Sequence, residues 1–199
     1  MKEVYFVTAT NTDVGKSHAC EVFLKKFAAQ GKKVGYFKPI ETGVTDKPLD
    51  GNRLLNIAKE LNPEFDLSID DVVPFQYELP AAPFVASRGE TINIEKIKEK
   101  KDFLLNFCDV LIIEGAGGLM VPVNKDFFMI DLIKELGCKA FLICPSSLGS
   151  INDTMLSQRA LKDYNIDFEW YINLYKDKKS FEKVTLPFYK VYFDTIRFL

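Results

Sequence analysis

Histidine is nearly missing from this sequence: His18 is the only one in 199 residues. A zinc site built on imidazoles, or a Ser-His-Asp triad, would have to rest on that single ring, so neither is expected. Cysteine is scarce as well. Cys20, Cys108, Cys138 and Cys144 form no C-x-x-C pair. Three of them sit in or beside apolar runs, and all are expected as buried free thiols. Neither sign of charge dominates: 26 Lys and Arg against 28 Asp and Glu leave a net charge of −2. A general nucleic-acid binder is therefore not expected. No apolar run approaches the roughly 18 residues that a membrane span requires. The start, Met-Lys-Glu followed by a short apolar stretch, lacks the long apolar core and cleavage site of a secretory signal. The expected compartment is the cytoplasm, with neither nucleic acid nor membrane as partner.

What is present is an ordinary globular composition, 47% hydrophobic and 27% charged, in a length that fits one domain with a sizeable core. Apolar, β-branched runs alternate with amphipathic segments. Strands are predicted at 4–8, 33–37, 109–113, 140–144 and 168–172. Helices are predicted at 16–30, 50–61, 92–107, 128–136 and 150–163, each carrying apolar residues at helical spacing. The stretch 68–91, with its prolines and no period, reads as mostly loop, and the aromatic tail 184–199 is ambiguous. Strand–helix alternation of this kind predicts an α/β fold, an open and mostly parallel sheet flanked by helices on both faces.

Three segments carry chemistry. The first is Thr10-Asn11-Thr12-Asp13-Val14-Gly15-Lys16-Ser17, which follows a predicted strand and opens a predicted helix. That setting suits a phosphate-binding loop: amides at the helix start point at phosphate oxygens, and the helix dipole favours the anion. Lys16 would reach the terminal phosphates and the Ser17 hydroxyl would meet Mg²⁺. Thr10 stands at the first glycine position of the usual G-x-x-x-x-G-K-[ST] pattern. The second segment, Glu114-Gly115-Ala116-Gly117-Gly118, comes directly after an apolar strand. A carboxylate there lies where open α/β sheets bind ligands, and a nucleotide's Mg²⁺ is its natural partner. The third, Lys38-Pro39-Ile40-Glu41-Thr42-Gly43, places a second ammonium at a strand end. Two ammonium groups over one crevice suit phosphoryl transfer.

Together the three segments resemble the dethiobiotin synthetase family of P-loop enzymes. That family's opening pattern, Thr-Gly-Thr-(Asp/Asn)-Thr-(Asp/Glu)-Val-Gly-Lys-(Thr/Ser), is matched from Thr8 to Ser17. Its Tyr-Lys-Pro-(three residues)-Gly segment is matched from Phe37 to Gly43, and its Glu-Gly-Ala-Gly-Gly segment from Glu114 to Gly118. A Leu-Gly-x-Ile-Asn motif is matched from Leu148 to Asn152.

The resemblance implies an ATP- and Mg²⁺-dependent ring closure, with 7,8-diaminononanoate and CO2 converted to dethiobiotin in biotin synthesis. One amine forms a carbamate, the carbamate takes the γ-phosphoryl group, and the second amine displaces phosphate. It further implies that Lys16 and Lys38 are catalytic and that Ser17, Asp50 and Glu114 hold Mg²⁺. The nucleotide would meet Thr12, Asp13, Val14, Gly15, Lys16, Ser17, Asp50, Glu114, Gly115, Ala116, Gly117, Asn173 and Leu174, with Asn173 reading adenine. The substrate would meet Thr12, Lys38, Thr42 and Gly118, and its carboxylate would meet Leu148, Gly149, Ser150 and Asn152 across a homodimer interface.

The sequence departs from the family at several points. Ala9 replaces a usual glycine, Leu174 stands where aspartate is common, and Phe84 where histidine is frequent. After Leu186-Pro187 the family continues through a longer loop over the base, whereas here Phe188, Tyr189, Tyr192, Phe193 and Phe198 crowd the last residues. These aromatics are expected as core or dimer contacts, and other nucleoside triphosphates could replace ATP. Two further readings stand beside the ligase. A P-loop switch ATPase or amidoligase often carries a second lysine within the loop, and positions 9–14 contain none. A non-enzymatic scaffold has no physical need for Lys16, Ser17, Lys38 and Glu114 to converge.

Overall fold

The structure, a computed structural model, describes residues 2–175 and 178–199. The first half of the chain runs β1 (Glu3–Ala9), α1 (Lys16–Ala29), β2 (Val34–Phe37), β3 (Ile40–Thr42), α2 (Leu49–Leu61), α3 (Ile69–Val72), β4 (Phe75–Tyr77), α4 (Pro83–Ala86) and α5 (Ile94–Leu104). The second half runs β5 (Val110–Gly118), β6 (Pro122–Asn124), β7 (Phe127–Phe128), α6 (Met129–Glu135), β8 (Lys139–Pro145), α7 (Ser150–Asp163), β9 (Phe168–Asn173), α8 (Lys178–Val184) and α9 (Leu186–Tyr192). No helix among the described residues is long and apolar enough to cross a membrane.

Five strands form the main sheet in the order β2-β5-β1-β8-β9, and every pair in it is parallel. The strands are nearly continuous in apolar residues because both faces are covered. Phe6, Val7, Leu111, Ile112, Leu142 and Ile143 are all fully buried. From β1 the chain moves outward to β2 on one side. From β5 it crosses back over β1 to β8 on the other. Right-handed crossovers then place α1 and α6 on opposite faces. The two connections diverge at the carboxyl ends of β1 and β5, which opens a crevice there.

Each predicted strand and helix of the main sheet is present, with ends shifted by a few residues. Two expectations need correction. The strand predicted to end at residue 113 runs on through the glycine-rich segment to Gly118, which pairs with Ala9 across a register shift in β1. Pairing with the central strand overrides the turn preference of glycine there. The stretch 68–91 is more ordered than expected. In it, Ser68 and Asp71 form a reciprocal cap on α3, and β4 pairs in parallel with β3. These elements are three or four residues long, too short for a hydrophobic period to register.

In the tail, Tyr189 is fully buried against Trp170 and Phe181, and Phe193 packs on Trp170 at a tilt, with ring centroids 4.5 Å apart. Phe188, Tyr192 and Phe198 stay partly exposed. All four cysteines are buried and free, as expected.

The sheet–helix packing leaves no room beside β2. A Cβ added to Gly35 would lie 2.6 Å from Phe65 Cε2 and 2.8 Å from Cys108 Sγ, both part of the core. Gly35→Ala should therefore destabilise the protein by about 1–3 kcal/mol through overpacking. The urea midpoint would fall with the slope unchanged; an unaltered midpoint would contradict this packing.

Candidate active site

The loop between β1 and α1 turns on two left-handed residues, Asp13 at φ 58° and Gly15 at φ 97°. Asp tolerates that region better than most side chains, and glycine enters it freely. Gly15 is also the N-cap of α1 and offers no side chain to cap it. An α-helix leaves its first four amides without helical partners, so here they are available to an anion.

The loop forms one wall of a cavity of about 700 Å³, within the usual range for small-molecule sites. Thr12, Asp13, Gly15, Lys16 and Ser17 line it on that side. Lys38, Ile40, Glu41, Thr42 and Asp50 line it from the β2–α2 region, residues 80–83 close a third side, and Glu114, Gly115, Ala116 and Gly117 form the β5 side.

Lys38 is the centre of the charge arrangement. Its Nζ lies 2.9 Å from Asp50 Oδ2, 3.2 Å from Glu114 Oε1 and 3.9 Å from Glu41 Oε2. Glu114 is 2% exposed and Lys38 5% exposed. Ser17 Oγ donates to Glu114 Oε1 at 2.8 Å, and Tyr36 OH donates to Glu114 Oε2 at 2.7 Å. Glu41 accepts from the amides of Asp50 and Gly51 at the start of α2, which sets the position of Asp50. Lys16 lies at the loop, with Nζ 3.4 Å from the Asn11 carbonyl.

The environment tunes these groups in different directions. Burial, and then the Lys38 charge, lowers the Lys16 ammonium below its ordinary value. Burial would lower Lys38 too, but the Glu114, Glu41 and Asp50 carboxylates outweigh it and hold that ammonium above its usual range. Asp50 is kept low because Lys38 overcomes its desolvation, while burial pushes Glu41 up. Two lysines and a row of helix-start amides can neutralise a polyphosphate, and hydroxyl and carboxylate oxygens are the donors a hard divalent cation takes.

Of the residues expected at the site, Lys16, Ser17, Lys38, Thr42, Asp50 and Glu114 come together on this cavity. Thr12, Asp13, Gly15 and residues 115–117 join them. Val14 is buried behind the loop and Gly118 lies beyond the lining, paired with Ala9. Asn173 and Leu174 stand at the end of β9, outside the lining. Asn173 Nδ2 donates to the Val14 carbonyl at 2.9 Å. Leu148, Gly149, Ser150 and Asn152 also lie outside it: Leu148 is 85% exposed, while Ser150 is buried.

Tyr36 and Glu41 were not expected at the site. The signal for Tyr36 was available, since it precedes Lys38 by two residues and shares its face of an extended chain. Glu41 lies within the Lys38 segment, where no motif singles it out. Removing the Tyr36 hydroxyl would strip a donor from a buried carboxylate at a cost of about 1–3 kcal/mol. Tyr36→Phe should show that loss in urea unfolding. Tyr5→Phe is the control, because Tyr5 OH bonds the half-buried Glu3 at the chain start; it should cost much less. Equal losses in the two variants would refute the special status of the Tyr36 contact.

Comparison with known proteins leads the same way. The AAA domain family matches residues 3–172. The ATP-dependent dethiobiotin synthetase BioD of a Sulfurovum species is 52% identical over 189 residues, 94% of this chain and 90% of that protein. The protein of the same name from Wolinella succinogenes is 36% identical over 191 residues, 93% of this chain and 87% of that one. Among solved structures, the MinD cell division protein of Aquifex aeolicus matches with a TM-score of 0.56 at 17% identity, covering 95% of this chain and 78% of that one. A GTPase of Pyrococcus abyssi in its apo form gives 0.58 at 13% identity, covering 98% and 75%. Those two support the P-loop NTPase fold alone. The sequence relatives are specific, and the chain belongs to the ATP-dependent dethiobiotin synthetase family.

Proposed function

We propose that this chain closes the dethiobiotin ring from 7,8-diaminononanoate and CO2, with ATP converted to ADP and phosphate. The observation that carries this reading is the convergence of Lys16, Ser17, Lys38, Asp50 and Glu114, from separate parts of the chain, on one cavity beneath the phosphate loop. The family membership gives the reaction, and the cavity supports a distribution of roles.

The amides that open α1 and the Lys16 ammonium bind the triphosphate. Lys38 lines the same cavity wall as Thr42 and shares Glu114 Oε1 with Ser17 of the loop. Its ammonium suits the charge that builds up when a carbamate oxygen attacks the γ-phosphorus and ADP leaves. The second amine then attacks the carbonyl carbon of the mixed anhydride, phosphate departs, and the ring closes. Such positioned cations contribute most where charge develops in the transition state. Thr12 and Thr42, which line the cavity, would orient the diamine.

The donor set fits Mg²⁺. Ser17 Oγ, Glu114 Oε1 and Asp50 Oδ2 are hard oxygens, the first two 2.8 Å apart and both carboxylates bonded to the same ammonium. These three residues would hold the ion, which when bound supplies neutralising charge to the β- and γ-phosphate oxygens.

The nucleotide base lies, in this reading, beyond the loop toward Asn173 and Leu174 at the end of β9. The segment 148–152 serves differently. Leu148, Gly149, Ser150 and Asn152 lie off the cavity of their own chain, and the exposure of Leu148 supports their use at the cavity of a second copy. The functional unit is then a homodimer of single-domain chains. Its expected location is the cytoplasm.

Phosphate release measured with bicarbonate and Mg²⁺ tests the reading. It should depend on the diamine and yield a product with the mass of dethiobiotin. Lys16→Ala and Lys38→Ala should each lower kcat by about 100- to 1000-fold, as removal of a transition-state charge partner does. Release indifferent to the diamine would favour a switch ATPase instead. Normal kcat in Lys38→Ala would remove that residue from the chemistry.

A further inference from the structure

We propose that Asn173 and Tyr175 are positioning residues of the phosphate loop: they hold two of its peptide planes from behind, so that the amides of Val14 and Gly15 face the phosphates. The inference rests on the phosphate-binding role proposed for the loop, and it concerns residues that stand outside the cavity.

A peptide unit is planar and trans, so its carbonyl and its N–H point in opposite directions. No peptide bond among the described residues is cis. The Asp13 carbonyl belongs to the unit whose N–H is that of Val14, and the Val14 carbonyl to the unit whose N–H is that of Gly15. Those two carbonyls are the ones held. Tyr175 OH donates to Asp13 O at 3.0 Å, and Asn173 Nδ2 donates to Val14 O at 2.9 Å. Each donor fixes the direction of a carbonyl and thereby aims the amide on the other side of the plane.

The surroundings fit this role. Asn173 is 5% exposed and closes β9, where it pairs with Pro145 of β8, so its Cα is set by the sheet. Its amide reaches Val14 O by passing where a side chain on Gly15 would be: a Cβ there would lie 2.2 Å from Nδ2. Gly15 is therefore required twice, for its left-handed φ and for the passage of this amide. Tyr175 is 51% exposed and acts at the rim, so the pair secures the loop from inside and outside. The two planes lie between the left-handed residues Asp13 and Gly15, where the chain departs most from a helical or extended path.

A direct contact of Asn173 with the base makes a different prediction, and a ligand without a base separates the two. Inorganic tripolyphosphate with Mg²⁺ would be titrated calorimetrically against the full chain, alongside ATP, CTP and GTP. Asn173→Ala should weaken tripolyphosphate by about 5- to 10-fold for a lost buried hydrogen bond, and all three nucleotides by at least that factor. Tyr175→Phe, which removes only a hydroxyl at the rim, should weaken all four by a smaller common factor of about 2- to 3-fold. A residue that merely supports the fold would lower Tm and leave the affinity of the folded protein unchanged. Unchanged tripolyphosphate binding in both variants would overturn the proposal, as would a change confined to the ratio among nucleotides in Asn173→Ala. Should Asn173→Ala not fold, Tyr175→Phe alone decides. If the wild-type chain bound neither tripolyphosphate nor ATP, the phosphate-loop reading itself would fail, and Lys16→Ala marks that level of binding.

Discussion

The buried ammonium of Lys38 is the constraint on which the site is organised. Carboxylates from three parts of the chain approach one cation: Glu114 from the middle of β5, Asp50 from the first turn of α2 and Glu41 from β3. A buried ion leaves water at a cost of several kcal/mol unless its partners are close and themselves hydrogen-bonded. Two of the three partners here are themselves held. Glu114 is fixed by Ser17 and Tyr36, and Glu41 by the two amides that open α2. The cluster ties the phosphate loop, the edge strand β2 and its neighbour β5 together. Displacing Lys38 would leave three carboxylates gathered without their common cation.

The sheet around this cluster was readable in the sequence because its signals are local and repeated. Continuous apolar runs such as residues 140–144, separated by segments of helical period, leave little alternative to a parallel sheet with covered faces. The phosphate loop was readable because a lysine and a serine at a helix start have fixed neighbours in sequence. Glu114 was readable through the strand before it, although the strand itself runs on to Gly118. Glycines there suggest a turn by composition, and only pairing with β1, a partner about a hundred residues away, overrides that preference.

What could not be read depends on distance. Alternation along the strand puts Tyr36 on the face of Lys38, but no local pattern names its partner Glu114, 78 residues away, or announces that Asn173 meets Val14, 159 residues away. Both contacts follow from sheet order: β2 lies against β5, and β9 ends beside the loop that follows β1. The short elements between residues 69 and 86 escaped for another reason. They are held by a capping box and by the β3–β4 pairing rather than by amphipathic period. They matter to the site, because residues 80–83 supply one of its walls.

The protonation of the two lysines also separates their tasks. Lys38 is held above its ordinary value, so it stays an ammonium throughout the neutral range and cannot serve as a base there. The sign for stability follows: a raised lysine contributes fully below its unfolded value near 10.4, and that contribution is lost only as pH climbs through the higher folded value. Neutral pH therefore leaves the cluster intact. Lys16 is shifted the other way, first by burial and then by the charge of Lys38. A polyphosphate arriving at the loop relieves both effects, since it brings negative charge to an ammonium that is partly desolvated and faces a like neighbour. The site therefore attracts an anion at Lys16, while Lys38 already has three anionic partners within 4 Å. The two cations are consequently not equivalent. One is a receptor for charge brought in by the ligand, and the other is a fixed element of the protein's own electrostatic frame.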